Sequence, residues 1–185
     1  MKFIDKIAET LVSAVKGVSD VMTAIRDSVK KQVTGTLENV KEITTTGVDS
    51  VSDIVTGSIK GAEKVGASFI EATKNTVSGA ISGVSDVGGD VLAASKKAVH
   101  GAVSGAAEVG KDLGTTAVAA VESVIDTAKS VGVNTTKATQ EAVVGALAAA
   151  DSIGTEAGKT VRNALSTAAS LPKDVVQKVI KKTPE

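Results

Sequence analysis

The sequence predicts an all-α protein built from one elongated amphipathic helix instead of a conventional globular core. Three observations lead to this fold class: an 11-residue repeat, apolar residues spaced as on one face of a helix, and a shortage of large side chains. The first two define the helix. The third argues against burying that helix in a core of large side chains.

Small residues dominate the composition. Ala, Val, Gly, Thr and Ser make up 111 of the 185 residues, and the chain has two Phe, no Tyr and no Trp. A compact core filled by Leu and aromatic side chains is therefore not expected. The absence of Cys excludes disulfides, thiolate metal sites and Cys nucleophiles. The single histidine, His100, leaves no two-histidine metal motif.

The charges are balanced, with 21 basic and 21 acidic residues. This gives no overall positive field to attract nucleic acid, and the lack of aromatic residues removes platforms for base stacking. The longest stretches without a charge have about a dozen residues, fewer than a bilayer-spanning helix needs. Charges near the start do not fit a secretory signal. We therefore expect a cytoplasmic protein that binds no nucleic acid.

The repeat begins at Ile7 and gives 16 consecutive 11-residue units, ending at Lys182 without insertion or deletion. Unit positions 1, 4, 5, 8 and 9 supply 80 sites, and Arg26 is the one charged residue among them. This spacing is helical, and an 11-residue period closes three turns, which keeps one face aligned along the helix. We divide the chain into an N-terminal lead-in (1–6), one amphipathic ribbon (7–182) and a C-terminal tail (183–185).

A 33-residue higher order also occurs, because Val-Ser-Asp recurs at Val18, Val51 and Val84. The larger residues of the apolar face, which either contact lipid or pack on other helices, are Val18, Val21, Val51, Ile54, Val55, Val65, Phe69, Ile70, Val84, Val87, Val99, Val121 and Val143. Basic residues at position 2 flank this face; they are Lys30, Lys41, Lys74, Lys96, Lys129, Arg162 and Lys173. Such residues can lay their methylene stems along an interface, or they can belong to a solvated face with ion pairs.

Glycines follow a 22-residue rhythm. Some alternate with Val at position 5, and others form G-x-x-x-G pairs, which allow helix backbones to approach closely. We assign close packing to Gly57, Gly61, Gly66, Gly79, Gly83, Gly88, Gly101, Gly105 and Gly110. The alternative is that small residues merely keep the face weakly hydrophobic. Because the 11-residue phase does not slip, we expect bends within one ribbon, with Pro172 beginning a last short helix.

Intrinsic propensity opposes this helix, since Gly, Val and Thr are all unfavourable in helix interiors. We expect a chain that is disordered alone and ordered on a lipid surface, or by packing into a hairpin, bundle or filament.

Catalytic motifs are absent. No phosphate-binding glycine loop or Ser-His-acid spacing occurs, His100 lies on the polar side as an exposed bystander, and the carboxylates recur with the repeat as structural residues do. We expect no enzyme activity, no cofactor, no metal and no small-molecule substrate.

The segments Lys60-Gly-Ala-Glu-Lys-Val-Gly66 and Lys97-Ala-Val-His-Gly-Ala-Val-Ser-Gly-Ala-Ala-Glu-Val-Gly-Lys111 resemble the 11-residue repeats of synucleins. The Thr, Val, Gly and Ala bias with a 33-residue order resembles the central repeats of perilipins. Late-embryogenesis-abundant proteins share the period and are a weaker resemblance. The resemblance implies reversible adsorption to lipid droplets or anionic vesicles, with folding on contact.

We therefore expect a non-enzymatic coat protein, peripheral on a membrane or lipid droplet, whose partner is a phospholipid monolayer or bilayer. A self-assembling helical protein, with a homo-oligomer as partner, is the alternative from a different class. A stress-protective protein is a third.

Overall fold

The computed structural model describes residues 2–39 and 45–184, and within them the chain forms nine α-helices and no strand. The prediction of an all-α protein is confirmed. The helices are α1 (Lys2–Val15), α2 (Val21–Glu38), α3 (Thr45–Lys64), α4 (Phe69–Asp86), α5 (Val91–Glu108), α6 (Leu113–Val131), α7 (Thr135–Ile153), α8 (Thr155–Thr167) and α9 (Lys173–Lys182). Pro172 caps the start of α9, as its position in the sequence predicts.

The helices pack in two layers. Each helix lies mainly beside the helix two places along the chain, so α1, α3, α5, α7 and α9 form an odd layer and α2, α4, α6 and α8 an even layer. Consecutive helices contact one another across the two layers. Where the connections are described they are short, so helices of one layer run parallel to each other and antiparallel to the other layer. The sequence left a lipid surface, a hairpin, a bundle and a filament open, and the structure is a bundle.

Besides the turn with Gly17 between α1 and α2, each of the four turns between α3 and α7 contains a glycine in the left-handed region. Gly66, Gly88, Gly110 and Gly132 have φ values of +68°, +70°, +69° and +77°, which residues with a Cβ adopt at a cost. Each of these glycines follows the last turn of a helix, and they recur at a 22-residue interval. The expectation of bends within one continuous ribbon is therefore wrong. The phase survives the turns because one helix plus one turn spans two 11-residue units.

The structure accordingly follows a 22-residue repeat instead of the 33-residue order. Val18, Val51 and Val84 begin the same sequence motif, but they lie in the turn before α2, inside α3 and near the end of α4. Their environments differ, so the 33-residue order has no structural counterpart.

The core is formed by the predicted apolar face, that is, by unit positions 1, 4, 5, 8 and 9, which we call the arc. In the five units that form helix centres, every arc position is buried except Ile125, which is half-buried. These units are 51–61, 73–83, 95–105, 117–127 and 139–149. The largest fully buried side chains are Leu, Ile and Val, with no aromatic residue among them. The expected disorder of the chain alone is not what the described residues show, because the helices provide one another with the surface that the arc needs.

Across the described ranges, no helix combines the length and apolar character that crossing a bilayer requires.

Candidate functional site

The residues predicted for the apolar face come together inside the bundle. Those at helix centres, together with Val84, are buried: Val51, Ile54, Val55, Val84, Val99, Val121 and Val143. Those close to the turns are half-buried: Val21, Val65, Phe69, Ile70 and Val87. Val18 is exposed, with 42% of its surface accessible. The face is therefore continuous in the sequence and is folded inward, helix by helix.

Two of the flanking lysines form ion pairs between helices of the even layer. Lys30 of α2 lies 2.8 Å from Asp86 of α4, and Lys74 of α4 lies 2.9 Å from Glu122 of α6. The hydrogen bond from Lys74 to Glu122 raises the pKa of Lys74 despite its partial burial. For Glu122, burial acts to raise the pKa. Hydrogen bonds from Ser170 and Lys74 act in the opposite direction and outweigh burial, so the pKa of Glu122 is lowered. These two flanking lysines thus lie at seams, the contacts between neighbouring helices of one layer.

Arg162 is the flanking residue that the structure buries. Its guanidinium donates to the Asp151 carboxylate at 2.8 Å and to the Thr183 carbonyl at 2.7 Å, which ties together α7, α8 and the chain just after α9. Of the other flanking lysines, Lys96 is half-buried, Lys129 and Lys173 are exposed, and Lys41 lies outside the described residues.

The odd layer has corresponding ion pairs. Lys60 of α3 contacts Asp5 of α1 at 3.2 Å and Glu108 of α5 at 3.0 Å, so one ammonium group joins three helices. The Glu108 hydrogen bond raises the pKa of Lys60 although burial opposes it. Lys97 of α5 also pairs with Asp49 of α3, at 2.6 Å.

Between described residues, Arg162–Asp151 is the one ion pair that joins helices of different layers; the other interhelical pairs lie within a layer. Apart from the C-terminal end, contact between the layers therefore depends mainly on the apolar arc.

Six of the glycines assigned to close packing lie at the seams within a layer: Gly57, Gly61, Gly79, Gly83, Gly101 and Gly105. A Cβ on Gly57 would lie 2.6 Å from the Ile4 carbonyl oxygen, and a Cβ on Gly101 would overlap the Ser52 carbonyl. The assignment of Gly66, Gly88 and Gly110 to close packing is wrong, because a Cβ there would meet nothing within 4 Å. Those three glycines serve the backbone conformation of the turns.

Sequence reasoning missed two further seam residues. A Cβ on Gly145 of α7 would overlap the Lys96 carbonyl of α5. Ser123 of α6 takes the place of a glycine there and donates to the Lys74 carbonyl of α4 at 2.7 Å. The sequence does indicate both residues, because Ser123 and Gly145 continue the 22-residue series that contains Gly101.

His100 is not the exposed bystander that its unit position predicted. Its ring is half-buried and its Nδ1 lies 3.1 Å from Ser52 Oγ, across the seam between α5 and α3. Burial lowers the pKa of His100, and the nearby Lys97 adds to the effect. The ring is therefore a structural contact of the odd layer.

Among the described residues, no group of three or more His, Asp or Glu side chains is placed to hold a metal ion. A groove of about 270 Å³ crosses the even layer and is lined by Arg26, Lys30, Asp126 and several hydroxyl side chains. Both signs of charge are present in the groove, so it does not have the character of an anion or cation site. Arg26, the one charged residue on the apolar arc, is about half exposed at this surface.

Comparisons of the sequence with protein-family models and with curated proteins found no match.

Proposed function

We propose that the chain is a non-enzymatic amphipathic-helix protein that binds lipid surfaces, and that the bundle stores its apolar face between binding events. One observation supports this proposal above the others. The residues buried at helix centres are the same residues that a flat amphipathic helix of this sequence would present to a lipid surface.

The composition of the core supports an exchange between these two partners. Its side chains are mainly Ala and Val, which bury little apolar area each, so a lipid surface can replace much of what they lose on leaving the bundle. Two buried hydroxyls, Ser58 Oγ and Thr76 Oγ1, have no hydrogen-bond partner among the described residues. A buried unpaired hydroxyl costs roughly 1–3 kcal/mol, and the wet boundary of a lipid layer would relieve this cost.

The flanking lysines fit the same proposal. Lys30 and Lys74 pair with carboxylates that are themselves 51% and 25% exposed, at the edge of the arc. When helices of one layer separate, these ammonium groups become free to contact anionic headgroups, with their stems along the apolar face. Binding would then sum over many weak and similar units, as avidity does.

Co-flotation with lipid tests the proposal. The full chain is mixed with vesicles of equal parts phosphatidylcholine and phosphatidylglycerol, or with a phospholipid-coated triolein emulsion, and is floated on a density gradient. We expect the protein to rise with the lipid and to be released by salt from the vesicles in part only. Protein that stays at the bottom of both gradients would refute lipid binding.

A pair of matched variants on α6 identifies the face. Val121→Thr changes the buried arc and Val118→Thr makes the same change at a half-buried position beside it. We expect Val121→Thr to lower the floated fraction by a small increment, because it changes one unit among many, and Val118→Thr to lower it less. Circular dichroism checks that both variants stay helical. Equal effects would mean that the arc is not the lipid-binding face.

The self-assembly alternative gives a different result in the same samples. A stable homo-oligomer that sediments as one species and does not float would favour it over lipid binding.

A further inference from the structure

We infer that Gly66, Gly88, Gly110 and Gly132 are hinges that allow the bundle to open into one continuous amphipathic helix. That a lipid surface causes this opening rests on the proposed function, whereas the hinges themselves can be tested without lipid.

The spacing of the hinges preserves the apolar face. Each of these glycines occupies position 5 of an 11-residue unit, and consecutive hinges keep a 22-residue interval. If a hinge changes from its left-handed φ to the helical region, the two flanking helices join with their arcs in phase. A chain with loops of arbitrary length would lose this alignment. Residues 45–153 would then form a helix about 160 Å long.

No other part of the bundle packs against the hinge glycines themselves. A Cβ at Gly66, Gly88, Gly110 or Gly132 would meet nothing within 4 Å, so no neighbouring helix fills the space beside the glycine. The seam glycine Gly101 is the opposite case, since the Ser52 carbonyl fills the space beside it. The two classes of glycine therefore have separate roles, turning and packing.

The caps that close the turns are compatible with both states. Asp90, Asp112 and Asn134 accept hydrogen bonds from backbone N–H groups in the first turn of α5, α6 and α7. All three stand at unit position 7, well away from the arc. In the continuous helix these polar side chains would face water, so opening would place no cap residue against lipid.

Spin-label distances measure the opening. Glu71→Cys in α4 and Ser104→Cys in α5 lie on either side of Gly88 at the same unit position, and the chain has no other Cys. In the bundle the two labels lie on adjacent antiparallel helices, so their distance is short. In a continuous helix their 33-residue separation would place them about 50 Å apart. We expect the short distance in buffer and the long one on the anionic vesicles described above.

Hinge variants provide the control. Replacing all four hinges with Ala removes the left-handed preference and favours the helix, so we expect a shift toward the long distance of roughly thirtyfold per hinge. Replacing them with Asn, which tolerates the left-handed region, should shift it much less. If the fourfold Ala variant does not fold, the single substitutions Gly88→Ala and Gly88→Asn give the same comparison.

The outcomes separate the two proposals. Failure to float refutes the lipid function, and the Ala and Asn comparison in buffer still judges the hinges. Flotation with the short distance retained refutes the hinges and leaves lipid binding intact. Equal behaviour of the Ala and Asn variants also refutes the hinges.

Discussion

Gly101 brings the backbone of α5 against the backbone of α3, and Gly35 in α2 has open space around it. The same substitution should therefore act in opposite directions at these two positions. We expect Gly101→Ala to lower the free energy of unfolding by about 1–3 kcal/mol through overpacking. Gly35→Ala should raise it by about 0.5–1 kcal/mol, because Ala is the better helix former. Urea denaturation of both variants checks this, and a loss of stability in both would contradict it.

His100 should make stability depend on pH. Its pKa is lowered in the folded state by burial, with 6.5 as the ordinary value, so the unfolded chain binds a proton more readily. The bundle therefore loses stability as the pH falls below about 6.5 toward the folded pKa.

His100→Gln tests this dependence, because glutamine can still bond to Ser52 and does not titrate. Thermal melts on both sides of pH 6.5 should show a smaller change for the variant than for the wild type. Identical changes would mean that His100 does not contribute.

For single residues, the sequence identified the structurally important glycines more accurately than it identified their roles. Gly88 and Gly101 both belong to a 22-residue series, and both look like small residues beside an apolar face. One requires a positive φ and the other requires a neighbouring backbone. A neighbour two helices away is a tertiary property, so local spacing cannot separate the two cases.

The start of α6 shows how an element is fixed. Asp112 accepts hydrogen bonds from the backbone N–H and the hydroxyl of Thr115, at 2.6 Å each. We expect Asp112→Ala to lower the free energy of unfolding by about 1 kcal/mol and Asp112→Asn, which keeps an acceptor, to cost much less. Chemical denaturation at neutral pH measures both, and an equal loss for the two variants would show that the cap is unimportant.

The same cap gives a second dependence on pH, at lower values. The Thr115 side chain, followed by its backbone N–H, lowers the pKa of Asp112 from its ordinary 3.8. Its stabilisation is thus complete above 3.8 and is lost as the pH falls through the lower folded pKa. This loss should be absent from Asp112→Asn.

The elements themselves were predictable in type and in face. Charge was excluded from the arc positions, and those positions are the buried ones in α3 to α7. Their ends were less predictable, because a helix and a turn that together span two whole units leave no slip in the phase. Gly66 and Gly110 therefore looked like members of the face when they are its interruptions.

The whole molecule supplies its own packing surface, so it should be helical without lipid. We expect far-ultraviolet circular dichroism of the lipid-free chain to show high helicity, with a melting temperature independent of protein concentration. Sedimentation should report a single monomeric species. A random-coil spectrum, or melting that rises with concentration, would contradict a bundle formed within one chain.

The expectation of disorder came from helix propensity, which counts Gly, Val and Thr against each helix. That sum omits the seams, where Gly57 and Gly79 allow α3 and α4 to approach α1 and α2 closely. Such packing joins helices two places apart along the chain, which a sum of local propensities does not include. Composition gives the loss of helix stability at each glycine, whereas the stabilisation from close helix packing can be seen only in the fold.

The two-layer arrangement has a consequence for kinetics. In the described part of the chain, no helix contacts another that is more than two places away. The contact order is therefore low, and the bundle can grow from any pair of neighbouring helices without closing a long loop. We expect the main phase of stopped-flow refolding from urea to be complete within milliseconds, and a main phase lasting seconds would contradict this. A chain that refolds so quickly could leave a surface and regain its bundle before its exposed arcs meet those of another molecule.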